Sequence, residues 1–182
     1  MSRAELSDQA IVEQIRSGSS ELFGVLVERY QKPLFNVAYR ITNDHHDAED
    51  VTQAAFLKAY ENLPSFDTRF RFFSWIYRIT VNEALNLDAK RKRSEGFVDG
   101  DAERVADPDD LIDRHATEQQ VEEAVLWLKP SDRAIVLLRH FQGFSYQEIG
   151  FIMDLPEKTV KSRLYTARQR LRDIMVRQDT AN

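Results

Sequence analysis

A short stretch near the C-terminus constrains the fold most, because it predicts two helices joined by a tight turn. Ser145 and Glu148 have the spacing of a capping box, in which the serine accepts from an early backbone amide and the glutamate reaches back to the cap. Apolar residues continue at helical spacing, after which Asp154 suits a turn and Pro156 suits the first position of a new helix. The second helix should begin near Glu157. This pattern predicts a helix-turn-helix.

The second helix of the pair has one apolar face and one polar face. Residues at spacings of three and four form the face expected to be buried: Val160, Leu164, Ala167, Leu171 and Ile174. The residues expected to point outwards are Lys158, Ser162, Tyr165 and Gln169, flanked by Lys161, Arg163, Arg168 and Arg170. Polar side chains between basic flanks are typical of a recognition helix in a DNA major groove. The alternative is a solvated amphipathic helix whose basic residues only aid solubility.

Length and composition exclude several classes of protein. The chain has 182 residues, enough for one medium domain or two small ones. It has no apolar run of membrane-spanning length and no signal-peptide core at its N-terminus, so we expect a cytoplasmic protein that does not insert into membranes. It has no cysteine, which excludes disulfides, thiolate metal sites and cysteine nucleophiles. We expect no cofactor, no metal and no catalytic residues.

The net charge of −5 hides a strong segregation along the chain. Residues 67–93 contain seven basic and three acidic side chains, and residues 156–177 contain seven basic and two acidic ones. Between them, residues 94–123 contain eleven acidic and two basic side chains. The two basic segments predict two separate contacts with nucleic acid. The acidic segment predicts a flexible linker.

Residues 7–93 predict a series of helices without strands. Ser7 or Asp8 can begin the first and Gly18 can end it, Ser19 and Ser20 can cap the second, and Asn43 or Asp44 can cap the third. Pro33 must kink the second helix or open a new one, and Pro64 should stop the third. The inner stripe of the third helix comprises Ala48, Val51, Ala55, Ala59 and Leu63. This arrangement leaves Asp47, Asp50 and Gln53 on its outer face.

The cluster from His45 to Asp50 has three interpretations. It offers imidazoles and carboxylates for metal or acid-base chemistry. Acidic residues in a first helical turn are also explained by the helix dipole, and no second ligand cluster accompanies them. The third interpretation is an acidic docking face for a basic partner.

Aromatic and basic residues alternate from Phe70 to Arg78. Unpaired bases need flat apolar surfaces to stack on and cations for their phosphates. Many of these aromatics must nevertheless belong to the core, and Trp75, Ile76 and Ile79 fit one buried helical stripe. We therefore assign function only to the loop before this helix and to the helix's polar face.

Together, these motifs resemble a bacterial RNA polymerase sigma factor of the extracytoplasmic-function (ECF) group. The resemblance rests on the segments 47–53 and 75–82, the acidic linker and the C-terminal helix-turn-helix, in that order. It implies an all-α fold of two small helical domains: a region 2-like domain at 1–93, a linker at 94–117 and a region 4-like domain at 118–182.

The resemblance also implies partners and site residues. Core RNA polymerase would be bound through its β′ clamp helices and β flap, with the clamp-docking residues Asp47, Glu49, Asp50, Gln53 and Phe56. Single-stranded DNA at the −10 element would contact Arg69, Arg71, Phe72, Phe73, Arg78, Asn82, Lys90, Arg91, Lys92 and Arg93. Double-stranded DNA at the −35 element would contact Lys158, Thr159, Lys161, Ser162, Arg163, Tyr165, Thr166 and Arg168. An anti-sigma factor would hold the protein inactive until a signal arrives.

Two other functions remain open from the residues alone. A stand-alone helix-turn-helix regulator would explain the C-terminus but not the second basic segment. A metal-dependent nuclease would use the His45 to Asp50 cluster. The chain also departs from the ECF pattern at Lys158, where glycine is common, and at Thr166, where arginine is common.

Overall fold

A computed structural model describes residues 6–94 and 124–179, and within these ranges the regular structure is helical and contains no strand. The chain divides into two compact units, Met1–Asn86 and Leu87–Asn182. The predicted all-α fold is thereby confirmed. The predicted acidic linker at 94–117 lies outside the described residues, apart from Ser94.

The first unit contains three long helices, the last of which runs into the second unit. In chain order the helices are α1 (Asp8–Arg16), α2 (Phe23–Thr42), α3 (His45–Asn62) and α4 (Phe72–Ser94), with 3₁₀ turns at Ser20–Leu22 and Leu63–Ser65. Helices α2 and α3 pack against each other. The predicted inner stripe of α3 is confirmed, since all five of its residues are buried. They meet the buried side of α2, whose members include Leu26, Leu34, Val37, Ala38 and Ile41.

The ends of α1 and α3 follow the capping residues that the sequence predicts, whereas α2 begins after Leu22 and the predicted caps Ser19 and Ser20 provide it with no side-chain hydrogen bond. Ser7 caps α1 by accepting from the Ala10 amide at 3.2 Å, and Asp44 caps α3 by accepting from the Asp47 amide at 2.9 Å. Asn43 ends α2 in the left-handed conformation at φ 56°. Pro33 opens no new helix and lies inside α2. Its ring removes one helical hydrogen bond, a cost that the packing of α2 must offset.

The second unit contains the predicted helix-turn-helix. Residues 124–126 are helical, and they are followed by α5 (Pro130–Val136), which runs into a π-helical turn at Leu137–Phe141, then by α6 (Tyr146–Met153) and α7 (Glu157–Asp179). Both halves of the capping box at Ser145 and Glu148 are present. Val160, Leu164, Ala167 and Leu171 are buried as predicted, whereas Ile174 is only half-buried.

The turn between α6 and α7 depends on the absence of a side chain at Gly150. Asp154 adopts φ 56°, and the Leu155 amide donates to the Gly150 carbonyl at 2.9 Å. A Cβ atom at Gly150 would lie 2.7 Å from the Leu155 carbonyl oxygen, closer than real Cβ contacts come. The tight turn therefore requires glycine at this position.

Candidate functional site

The outer side of α3 carries what we call the acidic face: Asp47, Glu49, Asp50, Gln53 and Phe56. Glu49, Asp50 and Gln53 are exposed, whereas Asp47 and Phe56 are half-buried. Beside this face, a groove of about 430 Å³ runs between α2 and α3, and Phe35, Glu49, Gln53 and Phe56 are among its lining residues. The face thus combines negative charge with a partly apolar recess, which suits a basic or amphipathic partner helix.

An apolar patch extends the acidic face towards the C-terminal end of α3, and sequence reasoning missed it. Leu57 is 65% exposed and Tyr60 is 47% exposed. The Phe23 ring of α2 packs against Phe56 and Tyr60, with its centroid 6.3 Å from that of Phe56 and 5.1 Å from that of Tyr60. The patch could have been predicted from the sequence, because residues 53, 56, 57 and 60 follow the i, i+3, i+4, i+7 spacing of one helical face.

The two histidines beside the acidic face pair locally. The Nδ1 atoms of His45 and His46 lie 3.5 and 3.7 Å from the Glu49 carboxylate oxygens. Across residues 6–94 and 124–179, no group of three or more His, Cys, Asp or Glu side chains is arranged to hold a metal ion. These contacts are those of an exposed helix start, where the dipole favours acidic side chains.

A second surface is the loop of residues 66–71 before α4, which we call the aromatic loop. Asp67 organises it: its carboxylate accepts from the Arg69 backbone amide at 3.0 Å and from Arg69 Nη2 at 2.6 Å. The hydrogen bond from the Arg69 side chain lowers the pKa of Asp67 below its ordinary value. The Phe70 amide donates to the Asp67 carbonyl at 3.0 Å. Arg69 and Arg71 are exposed, so the loop presents two cations.

The exposed aromatic residue of this loop was not among the residues expected to contact DNA. Phe72 was expected to contact DNA, but it is only 3% exposed, and this expectation of an accessible ring is wrong. Its ring packs against Phe66, Tyr30 and Trp75 at centroid distances of 6.0, 5.8 and 5.7 Å. Phe70, by contrast, is 45% exposed. The exposed ring of the loop is therefore that of Phe70.

The remaining candidates for −10 contact lie along α4. Phe73, Arg78 and Asn82 are half-buried, with the Phe73 ring 4.7 Å from that of Tyr77. The expected inner stripe of α4 is corrected in part, because Trp75 and Ile79 are only half-buried while Ile76, Tyr77, Val81 and Ala84 are buried. Lys90, Arg91 and Arg93 are exposed, and the side chain of Lys92 lies outside the described residues. The end of α4 thus carries a basic surface.

The third surface is the outer side of α7, which we call the recognition helix. Lys158 and Lys161 are exposed, and Thr159, Ser162, Arg163, Tyr165 and Thr166 are half-buried. Lys161 pairs with Glu157 at 2.8 Å, one turn earlier. The Thr166 hydroxyl donates to the Ser162 carbonyl at 3.2 Å. Short polar side chains therefore lie beside exposed cations, as base reading in a groove requires.

Tyr146, at the start of α6, joins two cations beside the recognition helix. The Arg139 guanidinium lies 4.7 Å from the centre of its ring, and the Lys161 ammonium lies 5.4 Å from it. Both distances are within the range of cation–π attraction. Arg139 also donates to the Phe144 carbonyl at 3.1 Å. Sequence reasoning missed this cluster because the three residues come from three separate elements.

Arg168 was expected on an outward basic flank, and this placement is wrong. Arg168 is 9% exposed, and its Nε and Nη2 atoms lie 3.3 and 3.2 Å from His140 Nε2. Burial of the imidazole and repulsion by Arg168 and Arg139 lower the pKa of His140 to about 4. Arg170 also turns back, to Asp132 at 2.6 Å.

Comparisons with known proteins match both parts of the chain. The Sigma-70 region 2 family model matches residues 26–95, and the Sigma-70 region 4 model matches residues 118–171. The chain is 36% identical to the ECF RNA polymerase sigma-E factor of Escherichia coli, covering 91% of this chain and 92% of that protein. It is 33% identical to the RNA polymerase sigma-H factor of Pseudomonas aeruginosa, covering 89% and 90% respectively.

Among solved structures, the chain resembles the sigma factor RpoE of Bartonella quintana, crystallised with the anti-sigma factor NepR. The TM-score is 0.64 and the identity 25%, with 84% of this chain and 96% of that chain covered. The CnrH structure, solved with the cytosolic domain of CnrY, gives a TM-score of 0.67 at 24% identity, with coverage of 92% and 96%, and supports the fold. None of the helices described here has the length and apolarity to cross a bilayer.

Proposed function

The chain belongs to the sigma-70 family of RNA polymerase sigma factors, in its ECF group, and from this premise we propose how its three surfaces act. ECF sigma factors are transcription initiation factors, so the partners to be accommodated are core RNA polymerase and promoter DNA. In this proposal, residues 1–93 act as region 2, residues 118–182 act as region 4, and residues 94–117 link them. The family matches at residues 26–95 and 118–171 support this division. We assign the chain no catalytic reaction and no cofactor.

The acidic face of α3 docks on the β′ clamp helices of core polymerase. The observation that supports this assignment is the combination of exposed Asp50 and Gln53 with the adjoining apolar patch of Leu57 and Tyr60. Charged side chains at the edge of an interface steer association, and buried aromatic and aliphatic groups supply most of the affinity. Asp47, Glu49 and Phe56 complete the surface.

The aromatic loop captures an unpaired base of the −10 element. Phe70 supplies the exposed ring on which a base can stack, and Arg69 and Arg71 supply the charge for the adjacent phosphates. Phe73, Arg78 and Asn82 lie further along α4, and the basic residues Lys90, Arg91, Lys92 and Arg93 continue towards duplex DNA. Phe72 acts from beneath the loop, as packing.

The recognition helix enters the major groove of the −35 element. Lys158, Lys161 and Arg163 provide contacts to phosphates, and Thr159, Ser162, Tyr165 and Thr166 face the base edges. Arg168 supports the helix from its buried side. Region 4 also meets the β flap of the polymerase.

An anti-sigma factor controls the availability of the protein. The similarity to RpoE, whose structure was solved with its anti-sigma factor NepR, supports this proposal. Because the chain works with RNA polymerase, its place of action is the cytoplasm.

The proposed function is tested by transcription with purified components. Core RNA polymerase should give promoter-specific transcripts from genomic fragments of the source organism only when the chain is added. A stand-alone regulator would instead bind duplex DNA tightly without polymerase, and a nuclease would cut DNA when supplied with a divalent metal. Absence of chain-dependent transcripts, together with either of those activities, would refute the assignment.

A further inference from the structure

Helix α1 lies outside the residues matched by the region 2 model, yet it contacts the aromatic loop directly. The model match begins at residue 26, whereas α1 spans Asp8–Arg16. Arg16, in its last turn, donates from Nε and Nη2 to the Leu63 carbonyl at 3.1 and 2.9 Å, and from Nη2 to the Phe66 carbonyl. A single guanidinium therefore joins the end of α3 to the first residue of the loop.

A second contact reaches the far side of the same loop. Gln9, in the first turn of α1, donates from Nε2 to the Thr68 carbonyl at 3.2 Å. The backbone of the loop is thus held from α1 at residues 66 and 68, on either side of Asp67. The exposed residues Arg69 and Phe70, which we propose to contact DNA, follow immediately. Backbone contacts of this kind fix the path of a loop without restricting its exposed side chains.

Helix α1 is itself anchored to the core of the unit. Ile11 and Val12 are fully buried, and Asp8 accepts from Arg29 and from the Tyr30 hydroxyl on α2. Burial and the hydrogen bond to Asp8 raise the pKa of Tyr30, so the phenol keeps its donor proton. Beneath the loop, the Tyr30 ring packs against the rings of Phe72 and Phe73, and both centroid distances are 5.8 Å. An anchored helix can position a loop, whereas a loosely attached helix cannot.

From these contacts we propose that α1 is a positioning element for −10 recognition, with Arg16 as its principal residue. Arg16 acts through the loop backbone and does not touch DNA. This inference rests on the proposed role of the aromatic loop. Without Arg16, the loop samples other paths and only a fraction of molecules present Phe70 correctly, which reduces apparent affinity by that fraction.

The experiment uses the full-length chain with core RNA polymerase on templates whose −10 and −35 hexamers are both randomised, and the transcripts are sequenced. We expect Arg16→Ala to lower the preference at the −10 hexamer by about tenfold, the loss that follows when about one-tenth of the molecules hold the loop in its selective path and the rest initiate without selecting the hexamer. Preference at the −35 hexamer should remain that of the wild type. Glu13→Ala, on the same helix and exposed, is the matched control and should change neither preference.

Two further variants keep the proposal testable if Arg16→Ala does not fold. Arg16→Lys keeps the charge but loses the planar fork, and Gln9→Ala removes only the exposed contact to Thr68. Both should lose −10 preference, Gln9→Ala by about twofold on the same reasoning. Wild-type −10 preference in these variants, or a parallel loss at both hexamers that follows thermal stability, would overturn the positioning role. A wild-type holoenzyme without −10 preference would refute the proposed function itself.

Discussion

Replacing Arg168 with Ala should weaken the fold of the second unit more than it weakens contact with DNA. Nε and Nη2 of Arg168 lie within hydrogen-bond distance of His140 Nε2, and a hydrogen bond from a charged donor is worth about 1.5 kcal/mol. Burial of the methylene groups adds about 2 kcal/mol, and ordering the side chain costs about 2 kcal/mol. The free energy of unfolding should therefore fall by about 1.5 kcal/mol, which corresponds to a decrease in Tm of roughly 6–12 °C for a unit of this size.

Lys161→Ala is the matched comparison, because Lys161 lies on the same helix with an exposed i,i+4 ion pair to Glu157. At an exposed site this pair and the cation–π contact of Lys161 with Tyr146 each contribute only about 0.5 kcal/mol to stability. Loss of one phosphate contact should reduce the slope of log affinity against log salt by about 0.9. Melting by circular dichroism and anisotropy with a duplex selected by the wild-type protein at several salt concentrations separate the two effects. A wild-type Tm for Arg168→Ala together with a reduced salt slope would refute the structural role.

The other surfaces give three predictions. Asp50→Lys should reduce the affinity for core polymerase at least tenfold in a pull-down titration. Glu13→Lys, which makes the same change of charge, should leave that affinity unchanged. Equal losses in the two variants would indicate a general effect of charge. Phe70→Ala should reduce open-complex formation, measured by permanganate reactivity, while leaving Tm nearly unchanged. Phe72→Ala should instead lower the free energy of unfolding by about 3 kcal/mol. The reverse pattern would assign the DNA contact to Phe72. Because the folded-state pKa of His140, about 4, lies below its ordinary value of 6.5, stability present above pH 6.5 should be lost as the pH falls towards 4. His140→Gln, which keeps an acceptor, should remove that loss in urea titrations between pH 4 and 7, and an unchanged pH profile would contradict the assignment.

Local signals in the sequence predicted most of the helix ends. Ser145 with Glu148 and Asp44 act through atoms within three residues, so their roles can be read from spacing alone. The inner stripe of α3 was predictable for a similar reason, since a helix of small and branched residues at regular spacing has only one face to bury. These features depend little on the rest of the chain.

Features that depend on distant partners escaped prediction. The burial of Arg168 requires His140, which is 28 positions earlier. The burial of Phe72 depends on rings contributed by α2 and by Phe66, and nothing in the local alternation of aromatic and basic residues distinguishes it from Phe70. Amphipathic spacing predicts the direction of the Cα–Cβ bond on a helix, but the end of a long side chain can turn back towards a buried partner.

The glycine at position 150 has an evolutionary consequence. At this turn, the atoms nearest to the missing Cβ of Gly150 are main-chain atoms of Leu155 and Glu157, and the side chains of Ser162 and Tyr165 are not among them. Substitutions at Ser162 or Tyr165 can therefore alter which bases are preferred while the turn stays the same. New promoter specificities can therefore arise through single changes on one scaffold, without a compensating change in how the two helices meet.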